Sequence, residues 1–235
     1  GEDGKPIQGY SLPPATSSIG IDEISGDFIW DTPPDTGKYN VAIKIDEWRK
    51  GIKIGSITRD MQIDVYATEN HPPKIDSIPD ICVLAGDSIK ITIRSTDEEL
   101  NEVRVELSGG PFLFDSSPAT YQTISSTPGE NITEFTWNTN CDHIRKEPFM
   151  VLITARDEHP DVDLVGTRRF YIKVIGPEPK NLETKPGNAY IKLNWNSPDC
   201  EAVNYLIYRR IGSYDYIPDS CTSGLPEETG YELVG

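Results

Sequence analysis

Apolar residues fall at every second position in two long stretches of the chain, and the two stretches match. The first holds Tyr39, Val41, Ile43 and Ile45, then Met61, Ile63 and Val65; the second holds Phe149, Val151, Ile153 and Ala155, then Phe170, Ile172 and Val174. A period of two marks a half-buried β-strand, apolar on one face and polar on the other. Each stretch follows an aromatic strand, Phe28, Trp30, Thr32 in one and Phe135, Trp137, Thr139 in the other. Asp46-Glu47 recurs as Asp157-Glu158, and Thr58-Arg59 as Thr167-Arg168. The offset is 107 at the tryptophan, 110 at the first strand and 109 at the threonine, so only loop lengths differ. Self-similarity at a fixed period is the mark of tandem copies of one unit.

Each copy predicts an aromatic strand, a turn, and two alternating strands joined by a polar hairpin, which is the back half of a β-sandwich. Asn40, Lys44 and Asp46 then face water, and Trp30 and Trp137 anchor the cores rather than stack on a ligand. The fold class expected is all-β: tandem sandwiches of the immunoglobulin or fibronectin type III kind, the first and last truncated. The first domain, 1–67, is the C-terminal part of an immunoglobulin-like unit. Only 27 residues precede Phe28, with Ile7–Leu12 and Ile19–Ile24 as the visible opening strands, whereas such a sandwich needs about 100 residues in all.

Residues 66–73 form the first boundary, where Pro72-Pro73 holds the backbone extended. The second domain, 68–176, is complete. It opens with Lys74–Leu84 and continues through Ile89, Ile91, Ile93 and the run Val103–Leu107. A Gly, Pro and Ser-rich crossing at 108–129 then leads to the repeat. Pro177-Glu178-Pro179 marks the next boundary, and 177–235 is the N-terminal part of a third sandwich, ending near a strand at Tyr231–Val234.

Composition narrows the function classes. Nineteen glycines and nineteen prolines suit many turns and argue against long helices. A net charge of −16 argues against nucleic acid and anionic membrane surfaces as partners, since both reward clustered Lys and Arg. No stretch approaches the roughly 18 apolar residues of a membrane span, so no span is expected.

Four cysteines carry the strongest chemical signal. Of the three possible pairings, only Cys82 with Cys141 and Cys200 with Cys221 keep both bridges inside single domains, and that pairing is expected. Zinc ligation is the competing reading, but there is no Cys-x-x-Cys and no histidine at zinc spacing. Reduced, buried cysteines are the other alternative. Disulfides place the protein outside the cytoplasm.

Carboxylates cluster at Asp97-Glu98-Glu99, with Asn101 and Glu102 close by, at Asp157-Glu158, at Asp161 and Asp163, and beside the linker's Glu69-Asn70. The distribution resembles the calcium joints of cadherins, which implies Asp97, Glu99, Asp157 and Asp161 as ligands for a hard cation that takes six to eight oxygens. The linker lacks the second Asp of that pattern, and solvated loop charge is the competing reading. The expectation is therefore no cofactor, with Ca2+ as the one alternative, stiffening the joint if it binds at all. His71, His143 and His159 fall in predicted polar loops, without a nucleophile elbow, a phosphate loop or a zinc-protease helix, so no catalytic residue is assigned. Asn131-Ile132-Thr133 is a glycosylation sequon. Tyr214, Tyr216 and Tyr231 could stack on sugar or pack within the third module.

Beyond Pro179 the chain resembles a family. Leu182, Ala189, Ile191, Leu193, Trp195, Pro198, Val203, Tyr205, Ile207, Tyr208 and Arg209 look like the first three strands of a fibronectin type III domain, with Trp195 as its core residue. The spacing Trp195, Pro198, Cys200, Tyr205, Arg210, Cys221, Gly224, Pro226, Tyr231 more narrowly resembles the fibronectin-like module of large Bacteroidetes surface proteins. Those are the proteins that end in gliding-motility-associated, type IX secretion sorting domains. Asp76-Ser77-Ile78 and Asp87-Ser88-Ile89 resemble the short O-glycosylation sites of the same group. The resemblance implies a non-enzymatic, extracellular or cell-surface spacer or adhesion segment. Its partners are the neighbouring domains of the parent chain, with other surface proteins or glycans beside them. The alternative function is as accessory modules of a secreted polysaccharide-degrading or proteolytic enzyme.

Overall fold

The structure is a computed structural model, and it describes residues 12–22, 26–31, 33–200, 205–214, 216, 221 and 224–235. The expected strand at Ile7–Leu12 lies almost wholly outside the described residues, as do Ile24, Thr32 and Val203. The chain is all-β and falls into two compact units, Gly1–Glu69 and Asn70–Gly235.

The first unit holds two ribbons. Strand β1 (Ile19–Ile21) pairs antiparallel with β2 (Phe28–Trp30), and β3 (Gly37–Arg49) pairs antiparallel with β4 (Ile52–Val65). Lys50 and Gly51 turn the hairpin, both at positive φ, as a two-residue hairpin loop requires. One face of this ribbon carries Tyr39, Val41, Ile43 and Ile45 opposite Ile63, Met61, Arg59 and Ile57. The other carries Lys38, Asn40, Ala42 and Lys44 opposite Asp64, Gln62, Asp60 and Thr58. Alternation in the sequence has become a two-faced ribbon, as period two demands.

The second unit contains a two-sheet sandwich. One sheet has the order β5-β7-β10-β9, from Lys74–Ile75, Ser88–Thr96, Glu130–Asn138 and Thr120–Thr127. The other has the order β6-β12-β11-β8, from Ile81–Leu84, Val165–Ile175, Phe149–Asp157 and Val103–Gly109. Strand β6 runs parallel to β12 and all other pairs are antiparallel. Phe135, Trp137, Val151, Ile153, Phe170 and Ile172 are sealed between the sheets. Burying each such side chain contributes about 2 kcal/mol.

The repeat holds in the register of the hairpins. Tyr39 faces Ile63 as Phe149 faces Ile172, Val41 faces Met61 as Val151 faces Phe170, and Ile43 faces Arg59 as Ile153 faces Arg168. The tryptophans match as well. Trp30 Nε1 donates to Pro14 O at 2.9 Å and its ring meets Tyr39 edge-on at 4.8 Å; Trp137 Nε1 donates to Ser117 O at 3.0 Å and its ring meets Phe149 edge-on at 5.2 Å. Burial differs. Trp137 is fully buried whereas Trp30 is half-buried, because in the first unit no described strands stand where β7 and β8 stand in the second.

Three further findings depart from expectation. Thr120–Thr127 is a strand inside the stretch read as an irregular crossing; every residue in it is exposed. His143, assigned to a polar loop, is fully buried against Phe114 and Trp137. Asn131 of the sequon is buried on β10: its Nδ2 donates to Val103 O and its Oδ1 accepts from Thr133 Oγ1. The folded chain presents no glycan acceptor there.

Residues beyond Pro179 belong to the second compact unit. Strands β13 (Lys180–Pro186) and β14 (Ile191–Asn196) form an antiparallel hairpin, and β15 (Tyr208–Arg209) pairs with β16 (Glu232–Leu233). Trp195 lies on β14, half-buried, with its ring against Tyr205 at 5.2 Å.

Candidate functional site

The residues singled out for chemistry meet in two places on the second unit: the pole where the chain enters it, and the face turned to the segment beyond Pro179.

At the pole, three strand ends and the entering chain converge. Asp157 closes β11 and is fully buried. Its Oδ2 accepts from Asn70 Nδ2 at 2.6 Å and its Oδ1 accepts from Leu164 N at 2.5 Å. Asn70 Nδ2 also reaches Val162 O at 3.0 Å. One carboxylate thus holds the entering chain and the Glu158–Leu164 loop together. Hydrogen bonds to a carboxylate of this sort are short and strong, and without Asp157 the Leu164 N–H would lose the acceptor it has here.

Beside it, Asp97 follows β7 and is 5% exposed. Its Oδ1 accepts from Asn101 N at 2.7 Å, while Oδ2 and the Nδ2 of Asn101 have no hydrogen-bond partner among the described residues. Gly129, at φ +77°, seats the β9–β10 turn against this loop, its N donating to Asn101 O and its O accepting from Asp97 N. A Cβ there would meet Leu100 at 2.7 Å, so glycine is required on both counts. His71 Nδ1 pairs with Glu99 Oε1 at 2.6 Å, and His71 N donates to Glu99 Oε2 at 3.3 Å. Hydrogen bonding with Glu99 raises the His71 pKa, and the same bond lowers that of Glu99.

Of the four residues read as calcium ligands, Asp97, Glu99 and Asp157 therefore lie at this pole, each on a different hydrogen-bonding task. Asp161 is exposed, and its N donates to His159 Nδ1. Among the described residues, no three His, Cys, Asp or Glu side chains are set as a metal cluster. Gly166 completes the joint. It lies on β12 opposite Ala155, and a Cβ there would run into Pro73 O, so only glycine lets the entering chain cross the sheet so closely.

On the other face, the cysteines pair differently from expectation. The bridges are Cys82–Cys221, with 6.1 Å between Cα atoms, and Cys141–Cys200, with 5.3 Å. Strand alternation supplies the reason. Ile81 and Val83 pack against the core, which turns Cys82 outward, and Cys141 opens a short 3-10 turn (Cys141–His143) with its side chain exposed. The interior is filled by Trp137, His143 and Phe149, so neither cysteine faces it. Both bridges instead tie the sandwich to the segment beyond Pro179.

His143 explains itself through its own turn. The Asn140 side chain accepts from Asp142 N, and His143 Nδ1 accepts from Asn140 N at 3.0 Å, which leaves Nε2 to face Ser116 O at 3.4 Å. This is a capping box closed by histidine. The spacing Asn140-x-x-His143 was the available signal. His159, near the exposed loop, contacts only the Asp161 backbone among the hydrogen bonds described.

No family model matches the chain, and no curated protein matches it. Solved structures of similar fold include the SrpA adhesin from Streptococcus sanguinis, 19% identical with a TM-score of 0.38 over 51% of this chain and 66% of that one. Another is the sialic acid binding region of the Streptococcus sanguinis SK1 adhesin bound to 3'sLn, 17% identical with a TM-score of 0.37 over 48% of this chain. Domains 4 and 5 of the S-layer protein SbsC are 14% identical, with a TM-score of 0.27 over 67% of this chain and 65% of that one. The chain spans 33% of the SK1 adhesin region's length and 66% of the SrpA structure's. No helix among the described residues is long and apolar enough to cross a membrane.

Proposed function

We propose that this chain is a non-catalytic spacer: a run of β-sandwich modules in a larger secreted or cell-surface protein, which stiffens that protein and presents its other parts. The observation that carries the reading is the pair of bridges Cys82–Cys221 and Cys141–Cys200. Both leave a complete sandwich and enter the next segment, so they fix one module against its neighbour, and such bridges persist where thiols are oxidised. Two of the three histidines have structural tasks, since His143 closes a cap and His159 receives a backbone N–H. The partners follow as the neighbouring modules of the parent chain, with surface proteins or glycans as ligands of what the spacer presents.

The proposal extends to particulars that rest on sequence resemblance: a fibronectin type III-like third module, a Bacteroidetes source, and a place in gliding motility or type IX secretion. It extends to cofactors too: none is proposed, and the hydrogen bonds from Asn70 and Leu164, which already engage both oxygens of Asp157, support that reading.

Peptide mapping without reductant, on protein recovered from its native cells with thiols blocked at lysis, tests the reading. The expected products are linked peptides carrying Cys82 with Cys221 and Cys141 with Cys200. Four free thiols in that material would remove the extracellular spacer. The parent open reading frame separates this reading from accessory modules of a secreted enzyme, which would share every bridge but carry a catalytic domain.

A further inference from the structure

The first unit carries an apolar trough that its sister copy fills. The trough has a volume of about 920 Å3 and is lined by Ile19, Ile21 and Phe28 on one ribbon and by Val41, Ile43 and Trp48 on the other, with the charged Asp22, Lys44 and Asp46 also in its wall. Its floor continues to Ile45, 51% exposed, and its far end to Trp48, 61% exposed. Among the described residues β3 is hydrogen-bonded to β4 alone, and none of them pairs with its other edge. A long edge with an uncovered apolar face is a template for another strand.

The second copy shows what covers the same surface. There β11, in the register of β3, lies between β12 and β8. Val103, Val105 and Leu107 of β8 alternate inward and are buried. Directly after β8, Phe112 plugs the space between the sheets, edge-on to Tyr121 and to Phe135 at 5.9 Å each. Ile21 and Phe28, on β1 and β2, stand opposite each other as Tyr121 and Phe135 do on β9 and β10.

We infer that the first unit is a strand acceptor, completed by an extended segment that adds antiparallel to β3 in the place of β8. The occupant has β-branched or aliphatic residues at alternate positions, a polar outer face, and a bulky aromatic a few residues on. Main-chain hydrogen bonds to β3 supply affinity and the alternating side chains supply register, as in other cases of strand addition. A second copy of β3 offers the alternation, but its Trp48 lies within the strand Gly37–Arg49 itself, whereas Phe112 lies in the turn Gly110–Leu113 that follows β8, so the second copy fits the trough less well. The interface already exists once in the chain, between β11 and β8, and the free face of β3 continues the same pattern.

The test uses the full chain, with a synthetic peptide of residues 103–112 as the probe, because that sequence is the one seen in the equivalent place. Amide hydrogen exchange across Gly37–Arg49 is expected to slow about tenfold at saturating peptide, with exchange in β5–β12 unchanged. Ile45→Asp, at a residue already half exposed, should abolish the slowing. As a control that spares the protein, a peptide with Val103→Ser, Val105→Ser and Leu107→Ser should give none. Absence of slowing at millimolar peptide, or equal slowing by the serine peptide, overturns the inference. Slowing that appears without peptide and grows with protein concentration, alongside dimers in sedimentation, overturns it in favour of a second copy.

Discussion

Asp46 and Asp157 are partners in the sequence repeat, yet they end on opposite faces of their strands. The registers fix Tyr39 to Phe149, so Asp157 falls where Glu47 does, one residue beyond Asp46. A shift of one residue moves a side chain from one face of a sheet to the other. Asp46 accordingly lies on the polar face, where a hydrogen bond from Lys53, with a second from Ser56, lowers its pKa. Asp157 lies inside and holds the pole. Asp157→Ala is expected to lower stability by about 2–4 kcal/mol in urea unfolding of the second unit, since it removes the partner of the half-buried Leu164 N–H and one of the partners of the buried Asn70 amide. Millimolar Ca2+ is expected to leave the melting temperature of the wild-type chain unchanged; a rise of many degrees, lost in Asp97→Ala, would make the pole a metal site. The His71–Glu99 pair gives a pH signature. His71, raised above the ordinary 6.5, contributes fully below 6.5 and loses that contribution as pH climbs through its raised value; Glu99, lowered from 4.5, contributes above 4.5 and loses it as pH falls through its lowered value. NMR titration should find the His71 midpoint above 6.5 and return it toward that value in Glu99→Gln.

At the scale of elements, a strand's legibility depended on how many of its faces are buried. Strands β11 and β12 were readable because one face is sealed, so apolar residues had to alternate. Strand β9, Thr120–Thr127, was not, since an exposed edge strand makes no demand on apolar pattern and reads as a Ser and Thr-rich loop. The tryptophan strands offer a comparison within one molecule. Trp137→Ala is expected to cost about 3–5 kcal/mol, as for a large buried aromatic, whereas Trp30→Ala, at a half-buried site, should cost much less. Thermal unfolding of the two variants measures the contrast, and equal costs would mean that Trp30 sits in a completed core. Gly166→Ala should loosen the joint on β12 by forcing Pro73 away, seen as faster exchange around Ile75, whose carbonyl Arg168 Nε holds at 2.9 Å.

At the scale of the molecule, the bridges decide how modules act together. They close sequence separations of 139 and 59 residues, and in the chain-entropy model each contributes roughly 4–5 kcal/mol. The sandwich from β5 to β12 has its own sealed core, whereas β13 to β16 are largely exposed and share little core. Mild reduction is therefore expected to leave exchange in β7, β10, β11 and β12 slow while β13 to β16 become fast. Simultaneous loss of protection in both would show that the sandwich relies on the bridges too.

The sequence by itself determined the all-β class, the tandem repeat, and the pairing of inward positions along each hairpin, because all three follow from alternation that a buried face imposes on the chain. It also marked the four cysteines and the acidic pole as places where chemistry gathers. Only the tertiary structure decided which cysteine meets which, since that depends on the outward turn of Cys82 and Cys141 across separate elements. It alone made a buried anchor of Asp157, a capped core residue of His143 and an internal hydrogen-bonding group of Asn131. Those roles arise from neighbours distant in sequence, and a single polar residue looks the same in a string whether a strand will cover it or leave it in water.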